Sequence, residues 1–236
     1  MNARRATIDL NADLGEGFPN DARLLDLVTS ASVACGAHAG DRTTILDTIA
    51  AARERRVAVG AHPGFPDREG FGRRDRYLPG DELETLVEEQ LQDLERLAGR
   101  LGLPIRFVKP HGALYNQAQR DRGIAARLLE PVARRGLPIL GQPGGQVEAI
   151  ATGRNLPFIA EGFADRRYRD DGSLVPRTEP NAILEDPAEI RAQVRSLIDR
   201  GFATICLHGD NPRSVELADL VLATLKDAGV EPKGFA

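Results

Sequence analysis

Short runs of β-forming apolar residues alternate with amphipathic helical stretches from one end of this chain to the other, and no other feature constrains its fold as strongly. The strand candidates are Thr7–Asn11, Ser32–Cys35, Val57–Ala61, Ile105–Lys109, Pro138–Gly141, Pro157–Ala160 and Ala203–Leu207. Strand–helix alternation of this kind predicts parallel strands joined by crossover helices. Seven such units make a β/α barrel if the sheet closes and a doubly wound sheet if it stays open. The barrel is the expectation, because the 236 residues match the roughly 200–250 that an α/β barrel takes as one unit. No Ser/Gly-rich linker, internal repeat or low-complexity run divides the chain, so residues 1–236 read as a single α/β domain.

The helices announce their starts. Asp81 follows Pro79–Gly80 and has Glu84 three positions on, a capping-box spacing, and Leu83, Leu86, Val87, Leu91, Leu94, Leu97 and Leu101 keep the 3.6-residue period. Asp186–Pro187 and Asn211–Pro212 each set a capping side chain before a proline suited to the first helical turn. Asp41 reads as an N-cap in the same way. The longest loop, Gly162 to Asp186, carries Asp165, Arg166, Arg167, Tyr168 and Arg177 with little apolar content, and loops of that length are often functional.

Composition excludes several classes of partner. Acidic residues outnumber basic ones 35 to 31, so no electrostatic drive toward nucleic acid exists. No stretch approaches the ~20 apolar residues that cross a bilayer, and Met1 to Thr7 carries charge without a following apolar core. A cytoplasmic chain without a membrane partner is expected. Cys35 and Cys206 both fall in apolar strand-like runs and read as reduced core thiols.

The scarce residues are more informative. All four histidines, His38, His62, His111 and His208, follow a predicted strand within a few residues, and Asp13 and Glu16 follow the first. In a parallel α/β architecture these positions share the C-terminal edge of the strands, where barrel sites form. Any one such histidine is readily explained as a ring satisfied by a backbone carbonyl; four of four at strand exits favour a site. Lys109, the only lysine before residue 226, ends its strand and would place a fixed charge at that face for a carboxylate, phosphate or oxyanion, or else would snorkel at the rim. Arg73 and Arg74, in Gly70-Phe-Gly-Arg-Arg74, form a guanidinium pair that clamps an acidic substrate or coats the surface. Asp13, His38 and His62 make a chemically sensible divalent-metal set, although no His-x-x-x-His or Cys-x-x-Cys spacing supports it and metal-free acid–base catalysis stays equally open. The chain has no Gly-Lys-Ser/Thr phosphate loop, no Gly-x-Ser-x-Gly elbow and no dinucleotide glycine fingerprint.

Seven stretches resemble the LamB/YcsF family: Ile8-Asp-Leu-Asn-Ala-Asp-Leu-Gly-Glu-Gly17, Ala34-Cys-Gly-Ala-His-Ala-Gly-Asp41, Val59-Gly-Ala-His-Pro-Gly-Phe-Pro-Asp67, Gly70-Phe-Gly-Arg-Arg74, Val108-Lys-Pro-His-Gly-Ala-Leu-Tyr-Asn116, Phe163-Ala-Asp-Arg-Arg-Tyr168 and Leu207-His-Gly-Asp210. They run in order over almost the whole chain. Ala37 stands where the family usually has phenylalanine, and the segment before Ala203 is shorter than in many relatives.

The resemblance implies a seven-stranded, TIM-like β/α barrel of the glycoside hydrolase/deacetylase type. It implies ATP-dependent cleavage of 5-oxo-L-proline to L-glutamate in a complex with 5-oxoprolinase subunits B and C, which would carry part of the phosphoryl-transfer machinery. On that basis Asp13 is expected as general base or metal ligand, His38 and His62 as its partners in water activation, and Lys109 with His111 as stabilisers of an oxyanion or phosphate. Arg73 or Arg74 would hold the substrate carboxylate, Asp210 would orient His208, and Asn11, Glu16, Tyr115 and Arg166 would complete the substrate site. ATP is the expected co-substrate, with a divalent metal left open. Two other readings compete: a stand-alone metal-dependent hydrolase or deacetylase, and a non-catalytic lactam-binding module.

Overall fold

The computed structural model describes residues 6–79 and 81–235; residues 1–5, Ala236 and Gly80, expected in the turn before a helix, lie outside them. Six strands form a curled, all-parallel sheet: β1 (Thr7–Leu14), β2 (Ser30–Ala34), β3 (Ala58–His62), β4 (Ile139–Gly141), β5 (Phe158–Phe163) and β6 (Thr204–His208). Their order is β3-β2-β1-β6-β5-β4, and a two-residue strand, β7 (Glu231–Pro232), pairs with the start of β1. Around them lie α1 (Asp21–Leu24), α2 (Arg42–Arg55), α3 (Glu82–Arg100), α4 (Gly112–Arg120), α5 (Arg122–Arg135), α6 (Gln146–Gly153), α7 (Pro187–Asp199) and α8 (Ser214–Asp227).

Six of the seven expected strands are present. The remaining one, residues 105–109, is extended between the two outer strands β3 and β4 but bridges each only at Val108. Its Arg106 N–H donates to the Val59 carbonyl (2.8 Å) and its Lys109 N–H to that of Ala61 (2.8 Å), while Leu140 N–H donates to the Val108 carbonyl (2.9 Å). Prolines at 104 and 110 have no N–H with which to lengthen either ladder. This segment sets Lys109 among the inner side chains.

Parallel strands covered on both faces usually read as continuous apolar runs. β1 instead alternates although seven of its eight residues are buried. Ile8, Leu10, Ala12 and Leu14 join the core beneath the helices, with Val33, Val59, Ile205 and Leu207 from neighbouring strands. Each fully buried Leu, Ile or Val of this kind contributes roughly 1.5–3 kcal/mol. Asp9, Asn11 and Asp13 take the other face, in register with Thr204, Cys206 and His208 of β6. The concave side of the sheet is therefore polar, and polar groups buried there must satisfy one another.

The helix starts follow the sequence in most places. The Asp41 carboxylate accepts from Thr44 N–H at 2.8 Å, and that of Asp186 from Ala188 N–H at 2.9 Å. The Asn211 side chain accepts from Arg213 N–H, capping a turn that precedes α8. At α3 the expected side-chain cap is absent, because Asp81 turns to Arg127 at 2.5 Å. On the buried face of α3, Gln90 exchanges two hydrogen bonds with the Gly64 backbone (3.0 and 2.9 Å), fixing the loop after β3. The long loop after β5 doubles back on itself through antiparallel bridges between Arg166 and Ile183 and between Tyr168 and Leu174.

Candidate active site

The polar face is built in layers. Deepest is Asp9, which accepts from Thr29 (2.7 Å), Ser30 (2.8 Å) and Thr204 (2.5 Å) hydroxyls. Above it the Asn11 amide donates to Thr204 Oγ1 and to Glu161 Oε1. Lys109, 2% exposed, then extends its ammonium to Asp13 Oδ1 (2.7 Å), Glu161 Oε1 (2.9 Å), Asn11 Oδ1 (3.2 Å) and Cys206 Sγ (2.8 Å). Burial opposes its charge, yet the Asp13 and Glu161 carboxylates, with the Cys206 sulfur beside them, outweigh that and hold the lysine well above its usual pKa. Asp13 responds in the opposite sense: burial would raise its pKa, and the neighbouring His62 ring together with the Lys109 ammonium brings it well below the ordinary carboxylate value. Lys109 is thus a buried counter-ion rather than a snorkelling rim residue.

Nearer the mouth, Glu16, His38, His62 and His111 converge, with one ligand atom from each lying within 4.8 Å of the others. His62 Nδ1 lies 2.7 Å from the Lys109 carbonyl, so that nitrogen carries the proton and Nε2 holds a lone pair. His111 Nε2 lies 2.8 Å from the Phe71 carbonyl, so its Nδ1 holds the lone pair. Those two lone-pair atoms face each other at 3.0 Å. Glu16 Oε1 stands 3.2 Å from His38 Nε2, 3.4 Å from His111 Nδ1 and 3.9 Å from His62 Nε2. The His38 ring stacks on that of His111 with centroids 3.8 Å apart, and the loop glycine Gly64 passes beside it.

Four donors around a tetrahedral cation with bonds of about 2.0–2.1 Å would be about 3.3 Å apart, close to the spacings in this cluster. Burial together with the neighbouring His62 depresses the His38 pKa to about 2, and burial with His38 and His62 holds His111 well below its usual value. Both are neutral imidazoles, the form that ligates metal. Burial and the Asp13 and Asp210 carboxylates push Glu16 well above the ordinary glutamate value. Two of the three rings are also oriented by backbone carbonyls on their far nitrogens, as the rings of metal sites are. The donor set fits a divalent cation. Of the expected set, Asp13 Oδ2 lies 3.5 Å from His62 Nε2, while His38 and His62 also converge with Glu16 and His111, and Asp13 with Cys206 and His208.

The expected orientation of His208 is also different. Its Nδ1 lies 3.0 and 3.1 Å from the two oxygens of Asp165, not beside Asp210. Asp210 instead pairs with Arg73. Arg74 is bound by Glu69 and Asp67 at a side chain 60% exposed, away from the buried groups. Tyr115 is buried edge-on against Phe163, with its hydroxyl pKa pushed well up by burial and the Glu161 charge. Arg166 is buried beside Asp165.

Two buried carboxylates escape a sequence reading as site residues. Glu161 falls just beyond the predicted end of its strand; a lone acidic residue in an apolar strand is the available signal. Asp165 lies in the long loop and in the Phe163–Tyr168 stretch, with nothing local to pair it with His208.

Comparison with known proteins agrees with this architecture. A Family 4 carbohydrate esterase from Streptomyces lividans shares the fold (TM-score 0.57, 12% identity, 99% of this chain and 95% of that one). A lactam utilization protein from Thermus thermophilus superposes far more closely, at a TM-score of 0.89 and 37% identity over 97% of this chain and 100% of that one. The A subunit of 5-oxoprolinase from Histophilus somni is 42% identical over 238 residues, 94% of this chain and 96% of that protein. Its counterpart from Streptomyces avermitilis is 42% identical over 249 aligned residues, 97% and 100% respectively. The LamB/YcsF family model matches residues 8–236, and this chain belongs to the LamB/YcsF family.

Proposed function

We propose that this chain is the A subunit of an ATP-dependent 5-oxoprolinase, cleaving 5-oxo-L-proline to L-glutamate in a cytoplasmic complex with subunits B and C. The observation that carries this reading is the near full-length identity to proteins named as the A subunit of 5-oxoprolinase, joined to a buried proton-transfer and donor cluster at the strand exits. We read residues 105–109 as the seventh stave of a single-domain barrel, because its backbone hydrogen-bonds to both β3 and β4.

A five-membered lactam is a stabilised amide with a poor leaving group. Phosphorylation of its carbonyl oxygen by ATP in the complex makes the carbon electrophilic; attack of one water, with its proton removed and the ring nitrogen protonated, breaks the C–N bond to leave an acyl phosphate, and a second water releases phosphate and glutamate. Asp165 holds Nδ1–H of His208, which leaves Nε2 to take a proton from water and deliver it to the departing nitrogen. Asp13, ionised and fixed by Lys109, is a weak base and serves to hold and orient the water. Lys109 supplies fixed positive charge beneath the reacting carbonyl. Glu16, His38, His62 and His111 would hold a divalent cation, which when bound supplies a Lewis acid that polarises a carbonyl and acidifies water.

The four-donor cluster also favours a second reading, a metal-dependent amide hydrolase acting alone. Incubating the chain with and without subunits B and C, ATP and 5-oxoproline, and measuring glutamate and phosphate, separates the two. Coupled release of both products only in the full mixture is expected; glutamate formation by this chain alone without ATP would replace the first reading by the second.

A further inference from the structure

The loop after β5 carries two arginines that the lactam cleavage leaves without a task. Arg166 is 6% exposed, and among the described residues no carboxylate lies within ion-pair distance of it. One of its terminal nitrogens donates to the Val175 carbonyl at 2.7 Å, and its Nε is buried without a partner. Arg177 is half-buried and likewise has no ion-pair partner among the described residues. Three of the carboxylates nearby are committed elsewhere: Asp165 to His208, Asp210 to Arg73 and Glu216 to Arg213. Burial and the Arg177 charge bring the Arg166 pKa down to about 10, as expected of a buried cation short of negative charge.

Arg177 also lines a cavity of about 480 Å³ between this loop, α7 and α8. Asp165, Glu185, Asp210 and Glu216 line it too, with Ile190, Leu217 and Leu220. Arg177 lines the cavity together with Asp165, the residue that meets His208, and Arg166 with its unmet donor is the next residue along the chain. A guanidinium pair with unmet donors is matched by a planar, two-oxygen anion.

We propose that Arg166 and Arg177 form the oxyanion subsite of this site and hold the carboxylate of the lactam acid. The proposal rests on the 5-oxoprolinase reading for the identity of the anion, and on Arg166, Arg177 and the cavity for its place. It moves the carboxylate clamp from Arg73 and Arg74, which already have acidic partners, to the loop after β5.

The test compares 5-oxoproline with 2-pyrrolidinone, the same ring without the carboxylate, in the reconstituted complex with ATP. Arg177→Gln lowers the ratio of kcat/KM for 5-oxoproline to that for 2-pyrrolidinone by about thirtyfold, the scale of one charge-assisted contact. Arg166→Lys, which keeps the charge but loses Nε, lowers it by less. A fall of both substrates in parallel, or no change in the ratio, overturns the assignment. So does protection of Arg177 by inorganic phosphate with unaltered lactam selectivity, since the subsite would then serve a phosphoryl group. If the complete mixture turns over neither lactam, the reading of the reaction fails by itself. Acetate titration of the isolated chain then decides the subsite: binding lost in Arg177→Gln retains it, and no binding by the unaltered chain overturns it.

Discussion

His62 Nε2 and His111 Nδ1 lie 3.0 Å apart with both ring protons turned away, one to the Lys109 carbonyl and the other to that of Phe71. Two lone pairs so placed repel unless a proton or a cation stands between them. With Glu16 and His38 completing the set, a cation is the better occupant. Dialysis of the purified chain against zinc or manganese, followed by elemental analysis, should find one equivalent bound. His111→Ala should weaken binding by about a hundredfold or more, the scale expected when a site loses an inner donor. Unchanged metal content in His111→Ala would place the ion elsewhere.

Asp165, rather than Asp210, sets the tautomer of His208. Asp165→Asn should cut kcat of the reconstituted complex by about a hundredfold or more, because the amide allows the wrong ring nitrogen to carry the proton. Asp210→Asn frees Arg73 and should cost much less. Equal losses in the two variants would count against the dyad.

The lone histidines and Lys109 are legible as a site from the sequence because their types are rare and every one follows a strand. Their partners are not. The 35 acidic residues give no such contrast, and which carboxylate meets which ring depends on register and loop path. Asp13 sits opposite His208 across β1 and β6, yet the ring turns to Asp165 in the next loop. The alternation of strand and helix is readable for the same reason that residues 105–109 promise a longer ladder than they form: their apolar pattern is that of a strand, and the flanking prolines limit its pairing.

Glu16 gives a pH signature. Its folded-state pKa is raised above the unfolded value near 4.5, so between those two values the folded chain keeps a proton that the unfolded chain has released. In chelator, stability should therefore fall as pH rises from about 4.5, and Glu16→Gln should remove that fall and be the more stable protein at neutral pH. Urea unfolding at a series of pH values measures it; a Gln variant less stable at neutral pH without metal would contradict the burial argument.

Lys109 neutralises two buried carboxylates, Asp13 and Glu161. Lys109→Met leaves both uncompensated and should cost about 3–5 kcal/mol in urea unfolding. Adding Glu161→Gln should restore part of the loss. A double variant no better than the single one would show that the charges are not the cause.

Gly72 has φ +64°, and a Cβ there would meet His38 Cβ at 2.8 Å and His111 Cδ2 at 2.9 Å. Gly72→Ala should spread the stacked rings, lowering metal affinity about tenfold or more while the chain still folds. Native affinity in that variant would mean that the rings have room to yield.

Whether this chain cleaves the lactam is decided by coupled product formation in a mixture of subunits B and C, ATP and 5-oxoproline to which it is added last. Glutamate and phosphate should appear together on its addition, and neither Asp165→Asn nor an omitted partner should support the unaltered rate. Glutamate release at the same rate before and after the addition would contradict the assignment of lactam cleavage to this chain.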